Sequence, residues 1–208
     1  MILADGTGML MDAGTRASAR ISRTKREVVL ASGRIELTVA KGAAPFEVRS
    51  SGTLIHDIGT TFQVERDDAG VRVSLLDGSV SITSPTQPET RTLRPGEQVN
   101  VSSDGQMGDT RAFDLTEAAA WTRGKLVFRR KRLSDLLSKM NRYSPVSVKL
   151  GDSALAELEV SGSFRAGDQE TLVRALVTGW GLREVREAGG VVTLYSTKST
   201  SRQGTRVH

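Results

Sequence analysis

The sequence predicts an α+β protein, with an N-terminal all-β sandwich or rolled sheet followed by a small βαββαββ domain. Three observations lead to this prediction. Apolar and polar residues alternate with the period of a β-strand through the first 113 residues. Helical spacing of apolar residues appears only after residue 114. The length of 208 residues is enough for two compact domains of about 100 residues each.

Short alternating segments separated by turn residues define the N-terminal domain, residues 1–113. Asp77 and Gly78 fall between two such segments, which is typical of a hairpin turn. The polar, proline-bearing segment 84–90 is predicted to be an exposed loop. Gly59 is expected to allow a close backbone approach or a bulge. The clearest strand segments are 35–39, 46–48, 71–75 and 80–82.

A connecting helix is predicted over residues 114–124, where the sequence changes character. Asp114 is a candidate N-cap, Glu117 follows three residues later as in a capping box, and Gly124 ends the segment. Trp121 is expected to bury its ring at the junction between the domains, because tryptophan carries a large apolar surface.

The C-terminal domain, residues 125–196, opens with a strand at 126–128 and continues with a helix. Strands at 146–150 and 158–164 follow, and both alternate. The helix is predicted because four apolar residues have i, i+3, i+4 and i+7 spacing and share one face. These residues are Leu133, Leu136, Leu137 and Met140.

A second helix and a hairpin complete this domain. Asp168 is a candidate N-cap, and the chain is expected to leave the helix between Gly179 and Gly181. Strands 182–186 and 191–195 flank a two-glycine turn. The tail, residues 197–208, has no apolar periodicity and is expected to be disordered. The predicted buried stripe of the second helix is Leu172, Val173, Leu176, Val177 and Trp180.

The net charge of +5 is concentrated in the C-terminal part of the chain. Residues 1–113 contain 13 basic and 14 acidic residues, whereas residues 125–196 contain 12 basic and eight acidic residues. A run of four cations is placed between the first strand and the first helix of the C-terminal domain, at the helix end that disfavours positive charge. A solvated surface, an acidic protein partner and an anionic lipid or nucleic acid remain open interpretations. The run is Arg129, Arg130, Lys131 and Arg132.

The residues needed for catalysis or metal binding are scarce. The chain has no cysteine and only two histidines, His56 and His208. His56 and Asp57 are adjacent in a predicted strand, where neighbouring side chains point to opposite faces and do not cooperate readily. We therefore predict no enzymatic activity, no cofactor and no metal site.

Several short motifs in fixed order carry a resemblance to a known family. The motif residues are Gly59, Thr60, Phe62, Gly78, Pro95, Gly96, Trp121 and Gly124. They look like the periplasmic region of FecR-family anti-sigma regulators, and the segments 3–7 and 10–15 resemble the strands that open that region. The C-terminal domain resembles the STN domain of secretins and TonB-dependent transducers.

The resemblance implies a signalling role in iron (siderophore) uptake. The region would lie in the periplasm and bind the N-terminal signalling domain of a TonB-dependent outer-membrane transducer. Members of the family carry a cytoplasmic anti-sigma segment, which contacts a sigma factor of the extracytoplasmic-function class, and one membrane helix before this region. The chain is therefore expected to be an expressed fragment or a truncated member, with nucleic acid not expected as a partner.

The partner-binding surface is expected on two candidate edge strands, 158–164 and 191–196, together with the basic run. Edge pairing supplies affinity through the backbone and specificity through alternate side chains. An envelope adaptor or secretin-like assembly component that oligomerises is the alternative function, and a nucleic-acid binder is a third. The expected contact residues are Leu158, Val160, Gly162, Phe164, Val191, Thr193 and Tyr195, with Arg129, Arg130, Lys131 and Arg132.

Overall fold

A computed structural model describes residues 1–42, 44–57, 59–87, 89–187 and 189–197. The chain divides into two compact units, Met1–Ala119 and Ala120–His208. The division falls inside the segment for which the sequence predicts a connecting helix. Within the described residues, no helix combines the length and apolar character needed to cross a membrane.

The first unit is a single curled sheet, whose described part contains eleven strands. The rolled sheet, one of the two predicted arrangements, is the one observed. The strands are β1 (Gly8–Met11), β2 (Arg16–Ile21), β3 (Arg26–Thr38), β4 (Phe46–Ser50), β5 (Thr53–Asp57), β6 (Thr61–Asp67), β7 (Gly70–Asp77), β8 (Val80–Thr83), β9 (Arg91–Leu93), β10 (Glu97–Ser102) and β11 (Arg111–Ala112).

The long strand β3 joins the two halves of this sheet. Its first part pairs with β2 and, in parallel, with β4, and the sheet continues through β5 and β8 to β9. Its second part pairs with β1 and β6, and the sheet continues through β7 and β10 to β11. One apolar core lies between the two halves and receives side chains from both.

A change of phase within β3 lets both parts point into the same core. Val28 and Leu30 are buried in the first part, and Ile35 and Leu37 are buried in the second, so the inward positions change from even to odd numbers. Gly33 lies between them with φ of 91°, a left-handed conformation that glycine adopts without a steric penalty. The β2–β3 ladder shifts register beside it, as expected of a bulge.

Three turns that carry the sequence motifs meet at one end of the first unit. The Asp57 carboxylate accepts hydrogen bonds from the Gly59 N–H, at 2.8 Å, and from the Thr60 hydroxyl. A Cβ at Gly78 would lie 2.5 Å from the Thr60 Cγ2, so this glycine permits the contact between two turns. The Gly96 N–H donates to the Leu75 carbonyl at 2.9 Å. The motifs therefore join the turns that precede β6 and β8, and they attach the turn before β10 to strand β7.

The prediction of a close backbone approach at Gly59 is wrong. No atom lies within 4 Å of a Cβ placed there, and φ is 91°. Gly59 is needed for its positive φ, whereas the close approach is at Gly78. The ladder irregularity occurs at Thr61 and Phe62, at the start of β6.

A short helix, α1 (Leu115–Ala120), follows β11 and continues into a 3-10 turn, Trp121–Arg123. Asp114 Oδ1 accepts from the Thr116 and Glu117 N–H groups at 2.8 and 3.3 Å, as an N-cap does. Gly124 ends the turn in the left-handed conformation. The Trp121 side chain, only 9% exposed, packs in the core of the second unit.

The second unit has the βαββαββ order that the sequence predicts. Strands β12 and β14 form an antiparallel pair. A separate three-stranded sheet has the order β13–β16–β15, with β13 parallel and β15 antiparallel to β16. The elements are β12 (Lys125–Arg132), α2 (Leu133–Asn141), β13 (Ser147–Leu150), β14 (Glu159–Arg165), α3 (Gln169–Trp180), β15 (Leu182–Glu187) and β16 (Val191–Ser196).

The predicted helical stripes are confirmed for most residues, but Val177 is only partly buried and Trp180 is exposed. The four apolar residues of α2 are all buried, as are Leu172, Val173 and Leu176 of α3. Trp180 is 37% exposed because the helix ends there. Gly181 turns the chain with φ of 65°, and Leu182 enters the core in its place. Of the predicted tail, residues 198–208 lie outside the described residues.

Candidate partner-binding surface

The basic run lies within a strand, and the prediction that it separates a strand from a helix is wrong. β12 extends through Arg132, and α2 begins directly after it. Arg129 and Arg130 together oppose Ser161 of β14, which makes a β-bulge. Arg130 adopts a φ of 47°, and its N–H donates to the Ser161 hydroxyl at 2.9 Å. The extra residue of the bulge extends the strand to the start of the helix.

Arg130 and Arg132 form ion pairs with acidic residues of the same unit. The Arg130 Nε lies 3.1 Å from Glu159, and the Arg132 Nε lies 3.2 Å from Glu157. All four side chains are exposed. Exposed ion pairs of this kind contribute about 0–1 kcal/mol to stability. Because they are weak, a partner can replace them, and the basic run stays accessible.

The side chains predicted to face a partner on β14 point mostly inward. Val160 is fully buried and Phe164 is 8% exposed, and Leu158 packs against the same core. A Cβ at Gly162 would lie 2.9 Å from the Phe164 ring, so this glycine accommodates the ring. The prediction therefore selected the wrong face of the correct strand. The exposed set is Glu159, Ser161, Ser163 and Arg165.

The prediction that β16 is an edge strand is wrong. It lies between β13 and β15, with backbone partners on both sides. The edges of this sheet are β13 and β15. Sequence alternation cannot distinguish these positions, because the order of strands in a sheet is set by pairing between distant segments.

The predicted contact residues Val191, Thr193 and Tyr195 nevertheless share one face of the sheet. Val192 and Leu194 between them are buried in the core. Val191 and Tyr195 are half-buried, whereas Thr193 is only 8% exposed. Two of the three side chains are therefore accessible, although the backbone of β16 is paired on both sides.

Tyr195 is held between Gly151, which directly follows β13, and a charged side chain of β15. A Cβ at Gly151 would lie 2.2 Å from the Tyr195 Cε1, so the ring rests directly on that glycine. The Arg183 guanidinium lies 4.9 Å from the centre of the ring, within the range of a cation–π contact. The ring is thus fixed before any partner binds.

The edge at β13 is capped by one side chain. The Asn141 amide accepts from the Val148 N–H and donates to the Val148 carbonyl, both at 2.9 Å, and so replaces a neighbouring strand. Buried Gln169 donates to the Asn141 Oδ1 at 3.1 Å and fixes the amide. In contrast, no strand in the described part of the chain pairs with the outer edge of β15. Neither the open edge of β15 nor the role of Asn141 is predicted from the sequence.

The N-terminus of α3 contains an acidic group whose titration is perturbed. The Thr171 N–H donates to the Asp168 carboxylate at 3.0 Å, and this hydrogen bond is the main reason that the pKa of Asp168 is lowered. Nearby Arg165 and Arg174 lower the pKa further. Asp168 is thus the N-cap that the sequence predicts.

His56 lies beside an ion pair on the outer face of the first unit. Its Nδ1 lies 3.7 Å from Glu47, and Arg49 in turn contacts Glu47 at 2.5 Å. The adjacent Asp57 bonds to the turn at Gly59 instead. His208 lies outside the described residues. Within the described part of the chain, no three histidine or acidic side chains are placed to hold a metal ion.

The comparisons with known proteins agree with a β-rich regulatory module. Residues 1–81 match the family model described as FecR protein, a stretch that runs from the N-terminus into β8. Curated proteins gave no match.

Similar structures extend through the second unit. Two crystal structures of a candidate anti-sigma factor from Parabacteroides distasonis, at 1.65 and 2.50 Å resolution, give TM-scores of 0.78 and 0.79. Each alignment has 25% sequence identity and covers 95% of this chain and 93% of that chain. Together with the FecR match, this likeness supports a role as a signalling regulator.

Proposed function

We propose that the chain is the periplasmic, signal-receiving region of a FecR-type anti-sigma regulator in iron (siderophore) uptake. The observation that carries the proposal is the likeness to a candidate anti-sigma factor, which includes both units and 95% of the chain. The FecR match over residues 1–81 supports the same assignment. The partner proposed is the N-terminal signalling domain of a TonB-dependent transducer, and a cytoplasmic segment of the full-length regulator would contact the sigma factor.

The pair β12–β14 is the proposed receiving surface. Within the described residues, β14 pairs only with β12, so its other edge is available to an added strand. The exposed basic run belongs to β12 and is therefore part of this pair, with a bulge at Arg129 and Arg130. An acidic strand of the partner would meet complementary charge, which raises the association rate and favours one orientation.

Calorimetry between the 208-residue chain and the signalling domains of transducers encoded nearby tests the proposal. We expect binding at tens of micromolar or tighter, weakened by added salt because exposed charges are screened. Lys131→Glu should weaken binding about tenfold, since it reverses an exposed charge of the run. Lys149→Glu, an equal charge change at an exposed site of β13, is the matched control and should bind normally.

Absence of heat with every such domain would contradict the proposal. A stable ring formed by the chain alone in light scattering would favour the envelope-assembly alternative. Equal weakening by Lys131→Glu and Lys149→Glu would move the receiving surface away from β12–β14.

A further inference from the structure

The outer edge of β15 is the open edge of the three-stranded sheet. Asn141 caps the opposite edge at Val148, and in the described part of the chain the strand β15 pairs with β16 alone. Unpaired strand edges invite pairing with another chain, and proteins commonly block them with charge or cover them. The order of charges on β15 decides what this edge can accept.

Five consecutive residues of β15 consist of four charged residues, in the order positive, negative, positive, negative, with one apolar residue in the middle. They read Arg183, Glu184, Val185, Arg186 and Glu187. Suppose that β15 pairs antiparallel with β15 of a second copy, with Val185 opposite Val185. Arg183 then faces Glu187, and Glu184 faces Arg186. Each pair occurs twice because of the symmetry. All four charged positions of each strand then oppose a charge of the other sign.

The neighbouring symmetric registers lack this complementarity. Directly opposed residues of an antiparallel pair lie on the same face, so a two-fold axis must pass through a residue position. An axis at Glu184 places two carboxylates against each other, and an axis at Arg186 places two guanidinium groups against each other. Like charges directly opposite destabilise a strand pair. The register centred on Val185 is therefore favoured over those on either side.

Contacts within the unit already orient these charged side chains. Arg183 lies over the Tyr195 ring, and Glu187 accepts from the Thr193 hydroxyl at 2.8 Å. On the other face, Arg186 contacts both carboxylate oxygens of Glu170, at 3.0 and 2.9 Å, and lies 3.2 Å from Glu184. Side chains fixed in advance lose less conformational entropy when a partner arrives.

We propose that two copies of this chain associate through β15, in antiparallel register about a two-fold axis at Val185. The two three-stranded sheets would form one six-stranded sheet. A second copy is the proposed partner because its own β15 strand places an opposite charge against each of the four charged residues of this edge. The association is closed, since each β15 edge is used once, and it produces a dimer and no ring or filament.

Sedimentation equilibrium of the whole chain over a wide concentration range tests this inference. The wild type should show a reversible dimer that weakens as salt is added. Arg183→Glu replaces both Arg183–Glu187 pairs with pairs of carboxylates, and Glu187→Arg replaces them with pairs of guanidinium groups. Each variant alone should raise the dissociation constant by about tenfold or more.

Mixing the two variants supplies the control for misfolding. A carboxylate at position 183 of one copy then faces a guanidinium at position 187 of the other, and the remaining pairs are unchanged. We expect a heterodimer about as strong as the wild-type dimer. Lys149→Glu, on the capped side of the same sheet, should dimerise normally.

A wild-type chain that stays monomeric at every concentration would overturn the proposal, as would a dimer that both single variants leave intact. Failure of the mixture to associate, with both variants folded by circular dichroism, would also overturn it. No transducer domain is present in these measurements. Their outcome is therefore independent of the proposed signalling partner.

Discussion

At the scale of single residues, the glycines of the family-like motifs perform different physical tasks. Gly59 supplies a positive φ in open space, whereas Gly78 has a positive φ of 86° and also lies so near the Thr60 methyl group that a Cβ there would be 2.5 Å from it. Trp121 and Gly124 act together at the start of the second unit, one as a buried ring and the other as a left-handed cap. The motif residues are therefore explained by the backbone conformation and packing of the turns.

Gly78→Ala should destabilise the first unit more than Gly59→Ala. Both changes place a Cβ on left-handed backbone, which costs about 1–2 kcal/mol. At Gly78 the Cβ would also meet Thr60 at 2.5 Å, which adds about 1–3 kcal/mol of overpacking. Urea denaturation of the two variants measures the difference. Equal losses would contradict the role given to the Gly78–Thr60 contact.

Asp168 should make the second unit sensitive to acid. Its pKa is lowered in the folded state, chiefly by the Thr171 N–H, from an ordinary value of 3.8. The stabilisation is therefore fully present above that value and is lost as the pH falls through the lower pKa of the folded state.

Asp168→Asn and Asp168→Ser keep an N-cap but do not titrate. Urea midpoints of the second unit between about pH 6 and 3 should fall less steeply in both variants than in the wild type. A slope equal to that of the wild type in both would show that other groups dominate.

At the scale of elements, the three-stranded sheet is made asymmetric by one side chain. Asn141 ends α2 and reproduces the hydrogen bonds of a missing strand at Val148, whereas β15 has no such cap. The pattern Leu133 to Met140 predicts α2 and its buried face. It contains no signal for what the last residue of the helix does, because that bond joins a helix to a strand.

Asn141→Ala should destabilise the second unit by about 1–3 kcal/mol. The change leaves the Val148 backbone groups without a partner and removes one of the two acceptors of the Gln169 amide, and unsatisfied buried groups carry this cost. Arg142→Ala, at the exposed neighbouring position, is the control and should change stability by less than about 0.5 kcal/mol. Thermal unfolding measures both, and similar values would contradict the capping role.

The errors about strands have the same origin as the missed cap. β14 and β16 were correctly placed by their alternation, but the exposed face of β14 and the central position of β16 depend on distant segments. On β14 the alternation predicts the apolar residues as the contact set, whereas in the structure they form the core. The order β13–β16–β15 places the last strand of the chain between two earlier ones, which no local pattern indicates.

At the scale of the whole molecule, the described residues form two separate apolar cores. One belongs to the curled sheet and contains Leu37, and the other belongs to the second unit and contains Leu136. Both leucines are fully buried. Each core is composed only of residues from its own unit, so local damage should stay within that unit.

Leu136→Ala should reduce hydrogen-exchange protection in the second unit and leave the first unit unchanged. Leu37→Ala is the reciprocal variant, with the effects reversed. Each should cost about 2–5 kcal/mol, the usual range for a buried leucine. Exchange followed by mass spectrometry reports both units in one experiment. Equal loss of protection throughout the chain in either variant would show that the units unfold together.

The sequence by itself determined the β-rich α+β class, the order of elements in the second unit, the buried face of α2 and the turns that carry the motifs. These features depend on period, capping and backbone conformation, all of which operate over a few residues. Only the tertiary structure decided which strands lie at an edge, which face of β14 is exposed, how Asn141 closes β13 and why β15 stays open. Those properties depend on hydrogen bonds between residues far apart in the chain, and a local pattern does not specify which distant segment will supply them.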